Sequence, residues 1–233
     1  MKFFLDATLG VLAFGLVFPT ETRLLASPPV TESAAAKNHN ATGFEPPTPA
    51  PSDLQPWVHR GSIRWVYGPE SDPRRIDRGS RMAAETTYTL AFNYRSDLKW
   101  QRRNNKLHVT IRRIAVTWKP KHVIWFRQRP TDHDFWNDRL VRHEMDHVRI
   151  SCDPRLEKLF RKRIASIDSL SGPIPQDGND EKAANAMLQS RVKGIFEDVS
   201  DLARIRYREL DRITRHGLQP LPANIDWIPK SAE

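Results

Sequence analysis

A chain of 233 residues with 39% hydrophobic content holds one domain of ordinary size plus appendages, and 18 prolines suggest that part of it is unstructured. The formal charge of +9 invites anionic partners, yet there is no nucleic-acid motif and no dense basic run, so specific nucleic-acid binding is not expected. A single cysteine, Cys152, excludes any intrachain disulfide and reads as a small buried hydrophobe.

In chain order, Met1-Lys2 opens a short positive region and residues 7–19 are almost wholly apolar. Such a run is too short to cross a hydrocarbon layer of about 30 Å but suits the core of a signal peptide. Residues 1–26 are therefore expected to direct export to the periplasm or the outside, with an uncleaved anchor as the alternative. After cleavage no membrane span remains. Residues 27–56 are rich in Pro, Ala, Ser and Thr, too poor in apolar surface to offset their ordering entropy, and read as a flexible tether. The folded domain is expected over 57–230.

Within it, Ile63 to Tyr67 suits a first strand, and the stretch after Gly68 has turn chemistry. Tyr88, Leu90, Phe92 and Tyr94 alternate on one side of a second strand. Leu107, Val109 and Ile111 alternate, then Ile114, Val116 and Trp118 continue in the opposite parity, as a β-bulge at Arg112-Arg113 would produce. Residues 103–106 form a plausible hairpin turn, and His122 to Phe126 a further short strand. Together these predict a twisted antiparallel sheet with one apolar face.

Helices follow. The first is expected from about His133 to Cys152, capped by Thr131 or Asp132; Asp153 and Pro154 then start another, to about Ser169. After a loop from Gly172 to Asp180, a long helix runs from Glu181 to about Arg215 and ends at Gly217. Its core stripe holds Leu188, Val192, Ile195, Val199, Leu202, Leu210 and Ile213, with Arg206 falling in the middle of it.

The first of these helices carries the chemistry. His143-Glu144-Met145-Asp146-His147 is an H-E-x-x-H, and residues four apart on a helix stand one above the other, with Cβ atoms about 5–6 Å apart. Two imidazoles so placed can converge on one Zn²⁺, while Glu144 is offset to reach a metal-bound water. At helical spacing Trp136, Leu140, His143, His147 and Ile150 share one face, Val141, Met145, Val148 and Cys152 another, and Arg139, Arg142, Asp146 and Arg149 form a charged stripe. The histidines thus point inward, where they are costly unless hydrogen-bonded or ligating.

Two stretches, Arg142 to Ile150 and Tyr207-Arg208-Glu209-Leu210-Asp211-Arg212-Ile213-Thr214-Arg215-His216-Gly217, resemble a bacterial family of predicted secreted zinc-dependent proteases. That family pairs an H-E-x-x-H helix with a tyrosine, an aspartate and a Thr-x-His-Gly ending. The resemblance is diffuse from about Thr86 to Gln219 and implies an exported zincin-like hydrolase.

A catalytic zinc usually takes three protein ligands and keeps one position open. His216, beside Gly217, is the favoured third ligand, with Asp211 orienting an imidazole; Asp153 and Glu197 are the alternatives. The expectation is an α+β, zincin-like fold, its sheet packed on the H-E-x-x-H helix and the long C-terminal helix. It would hydrolyse peptide bonds of a peptide or protein substrate through a zinc-bound water. Glu144 is the general base, and Tyr207 or Arg206 helps hold the oxyanion. An anionic envelope surface is a further expected partner. The competing expectation is a non-catalytic envelope-associated binding domain with a structural metal or none.

Overall fold

The structure, a computed structural model, describes residues 41–68 and 83–222. The expected signal peptide and most of the turn after Gly68 lie outside the described residues. The fold is α+β, with five strands and four α-helices among the described residues. Strands are β1 (Thr42–Phe44), β2 (Ile63–Tyr67), β3 (Ala84–Arg103), β4 (Lys106–Phe126) and β5 (Ser169–Pro173). Helices are α1 (Gln55–Gly61), α2 (Arg139–Ser151), α3 (Pro154–Ala165) and α4 (Asp180–Thr214). The sheet order is β1-β2-β4-β3, with β5 pairing on β4.

Long β3 and β4 meet at a two-residue turn, where Asn104 and Asn105 both adopt positive φ (51° and 55°). Asparagine tolerates this conformation, and such a turn matches the twist of a hairpin. Burial parity along β4 reverses at Arg112-Arg113, both exposed, as the sequence phase slip predicts. The sheet is mixed, however, not antiparallel throughout. β2 runs parallel to β4, from Ile63 opposite His122 to Tyr67 opposite Phe126, while β1–β2 and β4–β5 are antiparallel. Alternation reports which face a side chain takes but carries no information on strand direction, so the pattern could not reveal this.

Folded structure also begins earlier than the tether was expected to end. Phe44 stacks edge-on against Tyr67 and Phe135, Leu54 is buried, and α1 starts at Gln55. Composition hid this, because two apolar side chains are enough to dock a Pro-rich strap whose average hydropathy is low.

The described chain divides into two compact units. One comprises residues 92–118 and 157–199, with an aromatic cluster of Phe92, Trp118, Phe160 and Phe196 and a second cluster around Leu107, Val109 and Ala184. The other comprises 41–68, 83–91, 119–156 and 200–222. Its core gathers Trp65, Ile124, Phe126, Phe135, Trp136, Val141, Met145 and Val148. α1 approaches α2 closely here: a β-carbon on Gly61 would stand 2.8 Å from Val148 Cγ1, so only glycine fits. No helix among the described residues is long and apolar enough to cross a membrane.

Candidate metal centre

α2 is shorter than its periodicity predicts. Residues Asp132–Asn137 form a separate 3₁₀ turn, and Asp138, extended at ψ 129°, separates it from α2. The Asp138 carboxylate accepts the backbone N–H groups of Leu140 (2.8 Å) and Val141 (3.2 Å), which makes it the N-cap in place of Thr131 or Asp132. Arg142 steadies this start by donating to the Trp136 carbonyl at 2.6 Å and pairing with Asp53. Thr131 supplies no cap bond to the 3₁₀ turn either.

One turn further on, the helix delivers its histidines inward as expected: His143, Glu144 and His147 are 6%, 3% and 5% exposed. The imidazole centroids lie 4.8 Å apart. Opposite them, near the end of α4, stands Asp211. Its Oδ1 is 3.1 Å from His147 Nε2 and 3.3 Å from His143 Nε2. His143, His147 and Asp211 form a group that could hold a metal ion, with donor atoms all within 4.8 Å of one another.

The donor chemistry fits a cation. Thr214 gives its hydroxyl proton to the Leu210 carbonyl (2.7 Å), so its oxygen is left as an acceptor facing His143 Nδ1 at 3.4 Å. The hydrogen of His143 is thereby placed on Nδ1, and the Nε2 lone pair faces the Asp211 carboxylate. Two acceptors at 3.3 Å repel unless a positive charge, proton or metal, lies between them. Tetrahedral zinc with bonds of roughly 2.0–2.1 Å has ligand–ligand edges of about 3.3 Å, close to the two distances from Asp211 Oδ1 to the imidazoles. Glu144 Oε2 is buried and has no hydrogen-bond partner among the described residues, as suits a carboxylate that takes a proton from water.

Electrostatics reflect the convergence. Burial opposes charge on His143, but the Asp211 carboxylate and Glu144 outweigh it and raise its pKa. Burial likewise pushes against ionised Asp211, yet the imidazoles of His143 and His147 beside its carboxylate outweigh this and hold it well below the usual carboxylate range. Burial raises Glu144, partly countered by His147 and Thr86. Thr86 also donates to the Glu144 carbonyl at 3.3 Å.

The C-terminal turn closes over His143. Gly217, at φ +77°, lies so near the imidazole that a β-carbon would come within 3.0 Å of its Cγ and Cδ2. His216, the expected third ligand, is instead 77% exposed, with Nδ1 3.7 Å from Asp211 Oδ1. The reason is local: α4 ends at Thr214, and Arg215 and His216 both take left-handed backbone (φ 49° and 54°), which turns the His216 side chain out. Asp211, expected only to orient an imidazole, is the third member of the group that could hold a metal ion.

The other candidates fall elsewhere. Asp153 accepts the Arg155 backbone N–H at the start of α3 and pairs with its guanidinium. Glu197 belongs to the other unit and pairs with Lys193. Arg206 pairs with Glu209. Tyr207 is beside the site, its ring 4.4 Å from that of His147, but its hydroxyl bonds Ser151 Oγ at 3.1 Å. Cys152 is buried as expected, and burial pushes its thiol up to about 12.

No family model, curated protein or solved structure matches the chain.

Sequence reasoning missed a buried polar chain behind the site. His122 Nδ1 donates to the Gly61 carbonyl, so its Nε2 accepts the Ser151 hydroxyl (2.6 Å), which in turn accepts from Tyr207. Ser151 stands four residues after His147, so helical spacing could have placed it on the same face. Nothing local marks His122, which arrives from β4.

Proposed function

We propose that this chain is an exported, zincin-like zinc metallohydrolase that cleaves peptide bonds. The observation that carries the reading is the single carboxylate oxygen of Asp211 facing both H-E-x-x-H imidazoles, beside a buried glutamate with an unpartnered oxygen. His143, His147 and Asp211 would hold the metal. Zinc, when bound, polarises a carbonyl and lowers the pKa of water toward about 7.

The chain's own residues supply the rest. Glu144 accepts a proton from the attacking water and returns it to the leaving amine, a role suited by a carboxyl whose pKa burial has raised. Thr214 and the backbone at Gly217 fix the His143 ring, and Tyr207 packs against that of His147. The Tyr207 hydroxyl is committed to Ser151 and the Arg206 guanidinium to Glu209, so neither is assigned an oxyanion role. Export rests on the apolar run at 7–19. The Arg142–Ile150 and Tyr207–Gly217 resemblance to secreted zinc-dependent proteases agrees with this proposal.

A second reading, a binding domain with a structural metal, is favoured by one observation: only Asp211, 31% exposed at its side chain, opens the trio toward water. One experiment separates the two. Purified protein should carry about one zinc per chain and cleave a quenched-fluorescence peptide library. Glu144→Gln should keep the zinc and lose cleavage. A zinc-loaded wild-type protein that cleaves nothing, and unfolds when chelated, would establish the structural role.

A further inference from the structure

The hairpin of β3 and β4 within the first unit carries an unusual charge distribution. Residues 92–118 contain seven Lys and Arg against one acid, Asp97. Arg102 points to the covered side, where its guanidinium binds both Asp180 oxygens at 2.8 and 2.9 Å. Arg102 is itself exposed but paired; the others, also exposed, are Arg95, Lys99 and Arg103 on β3 and Lys106, Arg112 and Arg113 on β4. Apart from Lys99, none has an ion-pair partner among the described residues. A merely solvated face balances both signs; here Asp97, exposed between Arg95 and Lys99, is the one acid among these six exposed cations of the hairpin.

The opposite side of the hairpin is occupied. Phe92 and Trp118 are buried with Phe160 and Phe196, and Leu107 and Val109 with Ala184. Alternation therefore leaves the basic side chains on the solvent face, extended by β5 alongside β4. That face offers no exposed aromatic ring on which a base could stack, since the aromatic residues of both strands alternate inward. What remains is a sheet surface of guanidinium and ammonium groups, which matches a layer of phosphate headgroups.

We infer that the exposed face of this hairpin docks the protein on an anionic phospholipid surface through Arg95, Arg103, Lys106, Arg112 and Arg113. Contact is electrostatic and reversible, because no apolar side chain on this face inserts. Each cation near such a surface changes partition roughly fivefold, so removing three lowers it about a hundredfold. The inference is independent of the metal centre and stands or falls without it.

The test is sedimentation of the full chain with phosphatidylglycerol vesicles and, in parallel, with neutral phosphatidylcholine vesicles, which read out any contribution of the apolar N-terminal run. The expected result is binding to the anionic vesicles alone, weakened by salt, and lost about a hundredfold in Arg95→Gln/Arg103→Gln/Arg112→Gln. The pair Lys106→Gln/Arg113→Gln, which shares no residue with the first variant, should lose about twenty-fivefold by the same arithmetic; circular dichroism checks that both variants fold. Equal binding to neutral vesicles, or anionic binding unchanged in both variants, overturns the inference. Tighter binding to duplex DNA than to vesicles, lost in the same variants, also overturns it and assigns the face to nucleic acid.

Discussion

Thr214 Oγ1 lies 3.4 Å from His143 Nδ1 while donating its own proton to the Leu210 carbonyl, so a helix terminus sets the tautomer of a histidine seventy-one residues away. Residues that orient a ligating histidine through its other nitrogen typically contribute 10–100-fold to metal affinity. Thr214→Val keeps the shape and removes the acceptor. Zinc titration should show affinity falling by about tenfold or more, and some stability is lost as well because the Gly217 N–H loses its acceptor. Thr214→Ser should restore it, and equal affinity in all three proteins would deny Thr214 this role.

The third ligand is decided by a pair of variants. Asp211→Asn should weaken zinc binding severely, because the amide no longer supplies the charge both imidazoles face. His216→Ala, a change at an exposed side chain, should leave zinc stoichiometry and affinity near wild type. The reverse pattern would return the third place to His216.

Acid sensitivity should trace partly to His122. It is 2% exposed, and burial above all, with His147 nearby, lowers its pKa to about 4 from the ordinary 6.5, although the Gly61 carbonyl pulls the other way. The unfolded chain therefore takes up this proton first as pH falls. Stability from the neutral ring is full above about pH 6.5 and is lost as pH drops to 4, by on the order of 3 kcal/mol. In denaturant titrations between these values, His122→Gln should show a flatter dependence of stability on pH than wild type. Parallel curves would mean that His122 titrates normally.

By itself the sequence determined what local periodicity encodes. Four-residue spacing put His143 and His147 on one buried face, alternation placed the β3 and β4 side chains and their phase slip, and α4 was expected within a residue of its observed ends. Each of these is an interaction between near neighbours in the chain, so pattern suffices. Only the tertiary structure decided that Asp211 and not His216 joins the pair, that β2 runs parallel to β4, and that His122 stands behind Ser151. Those outcomes depend on where a distant helix stops and which way a strand enters the sheet. A turn of two left-handed residues after Thr214 was enough to move an imidazole from the interior to the solvent.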